Sequence, residues 1–338
     1  MPNRIIGWDI GGAHLKAARV TAAGVVEAVI QVPCALWRGL DELSQALEIA
    51  TQHVGESERH AVTMTGEMVD LFPDRKTGVV EIARFFVAQF HKKKVNFYCG
   101  DRHFVDVDAA SFHALAIASA NWRASVEFVS SKIPQCVFVD VGSTTTDIIA
   151  NENSRPRFRG QDDYTRLVCG ELVYSGVVRT PVMALGESVK FCGGQAPVVA
   201  EHFATMADVY RVLDELPDNV DQHPTADGAQ KTPFASARRL ARMIGRDVDS
   251  GELSDWRALA LSFRAAQMAK IASGLAKVSP HISPIVGAGI GEFLIRKIAR
   301  ETGRDYIAFA ALMEIAGPTA NAVTHVAPAV AVALLAQD

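Results

Sequence analysis

Two stretches of the chain share one alternation of apolar and polar positions. Near the amino terminus an apolar run enters Asp9, and Gly11 follows two residues later. In the middle of the chain Cys136 to Val139 enters Asp140, again two residues before a glycine, Gly142. Each run then turns polar over a few residues and becomes apolar again, the pattern of strand, tight turn and strand. The two stretches align without a gap. Gly12 answers Ser143, Ala13 answers Thr144 and Lys16 answers Asp147, so one copy offers a cation where the other offers an anion. The second copy carries a run of hydroxyls, Ser143, Thr144, Thr145 and Thr146. Backbone N–H groups and hydroxyls at such a turn can hold phosphate, and a neighbouring carboxylate suits magnesium. Two such hairpins facing each other would enclose a phosphate from both sides.

The rest of the pattern predicts an α/β protein. Strands are expected over Arg4 to Asp9, His14 to Thr21 and Gly24 to Val32, an antiparallel start with Ala23-Gly24 as a turn. Helical spacing of Leu40, Leu43, Leu47 and Ala50 predicts a helix to His53, followed by a strand from Ala61 to Met64 and the polar turn Thr65-Gly66-Glu67. Ligands of open α/β sheets sit at such strand ends. A helix over Gly78 to Phe90, a strand over Val95 to Tyr98 and an Ala-rich helix over Ala109 to Ala120 capped by Asp108 complete the first half. After the second hairpin, strands are expected over Pro156 to Gly160 and Glu171 to Tyr174. Helices are expected over Val198 to Leu213, Phe234 to Ile244 and Trp256 to Val278. Pro217 to Pro233, with its Thr225 to Gly228 turn, reads as a surface loop or part of a lid. The strand Ser283 to Val286 leads through the glycine turn Gly287, Gly289 and Gly291 into a helix over Glu292 to Glu301, and a last helix of small apolar residues covers Thr319 to Leu335. A boundary is expected near Ser130 to Pro134.

Composition narrows the classes. At 338 residues, 49% hydrophobic and 21% charged, the chain can bury two cores. A net charge of −4 without a basic stripe argues against nucleic acid as partner; Lys92 to Lys94 reads as a solvated helix end. The 5 cysteines are widely spaced and include no CxxC pair, so neither a disulfide framework nor a zinc site is indicated and a reducing cytoplasm fits. No signal-peptide h-region opens the sequence, and the apolar stretch Val326 to Ala336 is too short to span a bilayer and holds Pro328, so no membrane partner is expected. A homo-oligomer is compatible with this composition.

Each candidate has a plainer alternative. Lys16 is a phosphate contact or an outward residue of an alternating strand. His14 lies inside a phosphate-type turn, where it donates to an anion or is an ordinary strand histidine. Glu67 at a strand end is a candidate base, Arg179 a candidate fork for a substrate anion or a loop brace. Gly287, Gly289 and Gly291 form a nucleotide-type turn or pack a helix closely. Glu201, His202 and Asp208 do not share a helix face, which argues against a metal site there.

Two Asp-x-Gly hairpins followed by a glycine-rich turn resemble the acetate and sugar kinase/Hsp70/actin superfamily. Within it the segments GWDIGGAHLKAA, MTGEMVDLFPDR, VDVGSTTTDII, CGELVYSGVVRTPV and AEHFATMADVYR look like the hydantoinase/oxoprolinase-like proteins of tetrahydromethanopterin-linked one-carbon transfer, and are similar to the methanofuran-biosynthesis synthases. The resemblance implies a ribonuclease H-like fold of two actin-like domains around a cleft, 1–133 with 319–338 and 134–318, the second with a helical insertion over about 197–280. It implies transfer of an aminomethyl-furanylmethyl group from its diphosphate to the phenol oxygen of a γ-glutamyl-tyramine or tyrosine compound, with small-molecule substrates. The expected metal is magnesium near Asp9 and Asp140, with Asp147 or Glu67 taking the phenolic proton. Ala13 and His14 stand where nucleotide-using relatives carry a hydroxyl, which argues against ATP. Two alternatives remain open at this level: an ATP-dependent kinase or oxoprolinase-type amidohydrolase, and a non-catalytic nucleotide-binding protein of actin type.

Overall fold

The computed structural model describes residues 4–337. They divide into two compact units: residues 4–138, 150–157 and 307–337 form unit 1, and residues 139–149 and 158–306 form unit 2. Unit 1 begins with β1 (Ile5–Ile10), β2 (His14–Val20), β3 (Val26–Pro33), α1 (Leu40–Val54), β4 (Arg59–Met64), α2 (Arg75–Gln89), β5 (Lys94–Tyr98), β6 (Phe104–Val105), α3 (Ala114–Ile117) and α4 (Asn121–Ser130). Its sheet runs β3-β2-β1-β4-β5-β6. β1 to β3 are antiparallel, while β4 pairs parallel with β1 and β5 parallel with β4. Every residue of β1 is buried, as a central strand covered on both faces requires. Trp8 on this strand packs among His60, Phe86 and Phe90.

The chain then passes through β7 (Gln135–Val141) into the second hairpin and β8 (Thr146–Glu152), with β9 (Arg155–Arg157) paired to β8. Unit 2 continues with α5 (Asp163–Cys169), β10 (Leu172–Val173), the separate hairpin β11 (Ser188–Phe191) and β12 (Gly194–Pro197), and helices α6 (Met206–Leu213), α7 (Pro233–Arg242) and α8 (Leu253–Val278). It closes with β13 (Ile285–Ala288) and α9 (Glu292–Glu301); β14 (Tyr306–Ala308) starts at Tyr306, the last residue of unit 2, and continues into unit 1. The second sheet runs β10-β8-β7-β13-β14.

Helices α10 (Ala320–His325) and α11 (Ala327–Leu335) return to unit 1. α11 packs on β1, where a β-carbon at Gly7 would stand 1.9 Å from the Ala329 carbonyl oxygen and 2.9 Å from Ala333 Cβ. Small residues on both elements allow this approach, and Val330, Val332 and Leu335 of α11 are buried. Each contributes roughly 1.5–3 kcal/mol. Arg59 Nη2 donates to Ala336 O at 2.6 Å and fastens the end of the helix.

The elements depart from expectation at identifiable places. No continuous helix covers Ala109 to Ala120: Asp106 rather than Asp108 caps the Ala109 N–H at 3.0 Å, α3 is a single turn, and Ser119 takes φ +51°. The helix expected from Val198 begins only at Met206, where Thr205 and Asp208 form a reciprocal capping box. β9 stops at Arg157 because the N–H groups of Arg159 and Gly160 turn to the Glu171 carboxylate, at 2.6 and 2.9 Å. Thr319 to Leu335 is two helices, since Pro328 lacks the N–H a continuous helix needs and instead starts α11. The division of the chain falls inside β7, after Phe138, and unit 1 also takes in Ala150–Arg157.

Candidate active site

The hairpin of unit 1 is built around Asp9. β1 and β2 place Asp9 opposite Lys16, and Lys16 Nζ reaches Asp9 Oδ2 at 3.1 Å. Asp9 is 2% exposed, and its Oδ1 makes no hydrogen bond among the described residues. Gly11 N–H donates to His14 O at 2.9 Å and closes the turn. Leu36 and Cys34 donate to the carbonyls of Gly12 and Ala13, at 3.1 and 2.9 Å. The carbonyls are thereby occupied, while the N–H groups of Gly12 and Ala13 make no backbone hydrogen bond among the described residues. His14 is buried at the first position of β2.

Glu67 lies in a 3-10 turn, Gly66–Met68, directly after β4. Of the two readings of Glu67, a base or an ordinary exposed strand-end glutamate, the second does not fit, for Glu67 is only 1% exposed. Ser119 Oγ donates to its Oε1 at 2.8 Å.

The hairpin of unit 2 repeats the first at the level of hydrogen bonds. Gly142 N–H donates to Thr145 O at 2.9 Å, the counterpart of the Gly11–His14 bond. Val177 donates to Gly142 O at 3.0 Å, and Val178 and Arg179 donate to Ser143 O at 3.1 and 2.9 Å. Again the carbonyls are engaged, and the N–H groups of Ser143, Thr144 and Thr145 make no backbone hydrogen bond among the described residues. Successive N–H groups left in this way form an anion-binding nest. Ser143 Oγ is buried there without a hydrogen-bond partner among the described residues. Gly176 is essential to the bracing, for a β-carbon would sit 2.4 Å from the Ser143 carbonyl carbon and Thr144 N.

The Thr146 hydroxyl is fully buried and donates to Ser175 O at 2.7 Å, so it is not presented at the turn. Gln267 Nε2 holds the same segment through Ser175 Oγ and Gly176 O, each at 2.8 Å. Asp147 Oδ1 lies 2.7 Å from Nη2 of Arg166, whose side chain is 3% exposed. Ser175, Gln267 and Arg166 carry no sequence signal for this work, because each lies far along the chain from the turn it braces. Arg179 is exposed beside the turn.

The glycine turn belongs to this second hairpin. Gly291 N–H donates to Val141 O at 2.8 Å, and a β-carbon on Gly289, at φ +85°, would fall 2.2 Å from Asp140 Oδ1. At Gly287 a β-carbon would meet the Tyr306 ring at 2.5 Å. Glu292, at the start of α9, accepts from Tyr306 OH at 2.6 Å and pairs with Arg296 at 2.5 Å. The turn therefore packs its own helix and strand while touching the Asp140 carboxylate.

Among the described residues no group of three or more His, Cys, Asp or Glu side chains is placed to hold a metal ion. Magnesium takes only one or two protein carboxylates, completed by water and phosphate oxygens. The buried, unbonded Asp9 Oδ1 fits that mode as an oxygen donor. Glu201 and His202 precede α6, and Asp208 is held by buried Arg239 at 2.7 Å, so these three form no site. No helix among the described residues is long and apolar enough to cross a membrane.

Comparison with known proteins gives the family. The hydantoinase/oxoprolinase family matches residues 58–337. A (4-{4-[2-(gamma-L-glutamylamino)ethyl]phenoxymethyl}furan-2-yl)methanamine synthase of Methanocaldococcus jannaschii is 31% identical over 256 residues, 75% of this chain and 76% of its own. The synthase of the same name from Methanococcus vannielii is 30% identical over 178 residues, covering 52% of this chain and 80% of its own. A solved nucleotide-free acetone carboxylase aligns with a TM-score of 0.53 at 10% identity, over 87% of this chain and 66% of that one, a likeness of fold alone. The chain thus shares its α/β fold with that carboxylase. The chain belongs to the hydantoinase/oxoprolinase family, as an enzyme related to the furan-2-yl-methanamine synthases.

Proposed function

We propose that the protein acts in the biosynthesis of a methanofuran-type cofactor, joining an aminomethyl-furanylmethyl group to a phenol oxygen with release of diphosphate. The observation that carries this reading is the unit 2 turn, where the N–H groups of Ser143 to Thr145 and the Ser143 hydroxyl are free of backbone partners. Such a cradle suits an anion whose charge grows as it departs. The relatives' name describes an aryl furanylmethyl ether, the product such a transfer would give. Absence of a hydroxyl at Ala13 in the first turn favours diphosphate over ATP as the group held.

In the reaction, the bond between the furan methylene carbon and the diphosphate oxygen breaks, and its electron pair leaves on diphosphate. The phenol oxygen forms the new carbon–oxygen bond, and its proton passes to Glu67. The hairpin N–H groups bind and orient the leaving group, and Lys16 offers a cation beside Asp9. Magnesium, held by Asp9 or Asp140, would supply charge neutralisation of the diphosphate.

Mixing the protein with the furan diphosphate and γ-glutamyl-tyramine, or the tyrosine analogue, should yield ether and pyrophosphate by mass spectrometry. No product with either phenol sinks the reading. ADP formation from Mg-ATP, with no ether, would instead favour an ATP-dependent enzyme.

A further inference from the structure

Unit 1 keeps Glu67 in place through an unusual arrangement. Its partner Ser119, at 2.8 Å, holds φ +51°, a left-handed conformation that is strained for a residue with a β-carbon. Two glycines let the surroundings close on the same turn. A β-carbon on Gly78 would lie 2.6 Å from Glu67 O, and one on Gly66 would lie 2.7 Å from Leu36 Cδ2 and 3.2 Å from Ile10 O. Backbone strain and close packing thus converge on one buried carboxylate and one hydroxyl.

The segments that deliver the pair expose large apolar side chains, with the polar residues Asp70 and His113 exposed among them. Met68 and Leu71 follow Glu67 and are 42% and 40% exposed; Phe112 and Leu115 precede Ser119 and are 88% and 80% exposed. Ser119 Oγ also lies 3.4 Å from Met68 Sδ, which ties the two segments together. Large apolar side chains exposed on the two segments that Ser119 joins to the buried Glu67 carboxylate suit a ligand that is an aromatic ring carrying an acidic hydroxyl.

We infer that Ser119 is a positioning residue that fixes Glu67 as proton acceptor, and that Met68, Leu71, Phe112 and Leu115 form the surface receiving the ring of the phenolic acceptor. The inference rests on the proposed transfer reaction. As the phenol oxygen bonds to the furan methylene, its proton moves to the Glu67 carboxylate, and the Ser119 hydroxyl keeps its own proton throughout.

Two sets of variants test it. Ser119→Gly relieves the backbone strain but removes the donor, whereas Ser119→Asn tolerates the left-handed conformation and restores an N–H donor. In ether formation, Ser119→Gly should lower kcat about tenfold or more and move the ascending limb of the pH profile to higher pH, with Ser119→Asn recovering most of both. Tyramine alone serves as the binding probe, read by calorimetry. The unaltered protein should bind it, and the exposed double change Phe112→Ser with Leu115→Ser should weaken binding about fivefold or more. Unchanged kcat and pH profile in Ser119→Gly overturn the positioning role. Failure of the unaltered protein to bind tyramine, or equal binding by the double variant, overturns the ring surface. Absence of ether formation alongside normal tyramine binding that the double variant loses would reject the transfer reaction and leave the ring surface standing.

Discussion

Arg166 Nη2 lies 2.7 Å from Asp147 Oδ1, and the same nitrogen donates to Glu171 O at 3.1 Å. The guanidinium therefore ties β8 to the start of β10 from inside unit 2. Asp147, one of two carboxylates the sequence offers as acceptor of the phenolic proton, is already matched with a buried cation. Glu67 is left as the better candidate. Replacing Arg166 by Met leaves Asp147 uncompensated and should cost roughly 3–5 kcal/mol of stability in urea denaturation. A loss below about 1 kcal/mol would show the pair to be of surface strength.

Gly289 separates two effects of a methyl group. At Gly289 the new β-carbon would meet Asp140 Oδ1 at 2.2 Å, whereas at Gly303, φ +66°, nothing lies within 4 Å. Both Ala variants bear the left-handed strain of about 1–2 kcal/mol. Only Gly289→Ala should also displace Asp140 and abolish turnover. Equal residual activity in the two variants would remove the glycine turn from the site.

His60 gives the fold a pH dependence of defined sign. It is 3% exposed, accepts from Trp8 Nε1 at 3.0 Å, and has its second ring nitrogen 3.1 Å from Ser57 O. Burial pushes its pKa from 6.5 down to about 4, against the opposing pull of the Ser57 carbonyl. Between those values the unfolded chain binds a proton that the native chain does not, so stability falls as pH drops through this window and levels off below it. The loss amounts to roughly 3 kcal/mol. Thermal midpoints measured from pH 7 to pH 4 should show a decline that His60→Gln reduces.

The frame of each hairpin is legible in the sequence because its signals are local. The gapless alignment of Asp9–Lys16 with Asp140–Asp147 anticipates the matched bonds Gly11–His14 and Gly142–Thr145. Element order follows from periodicity, and α9 runs over Glu292–Glu301 as its pattern predicts. What escapes the sequence is set by distant partners. The burial of Glu67 depends on Ser119, 52 residues away, and the engagement of the Thr146 hydroxyl depends on Ser175, 29 residues away. The interruption at Ser119 is equally hidden, since a composition of good helix formers predicts a continuous helix where a left-handed residue stands.

The most direct measurement follows the oxygen that bridges the furan methylene and the diphosphate. With that atom labelled as oxygen-18, the account predicts that the label leaves entirely in pyrophosphate while the ether oxygen comes from the phenol, read by phosphorus NMR and mass spectrometry. Label retained on the furan product would mean that a phosphorus–oxygen bond breaks instead, and would contradict transfer at carbon.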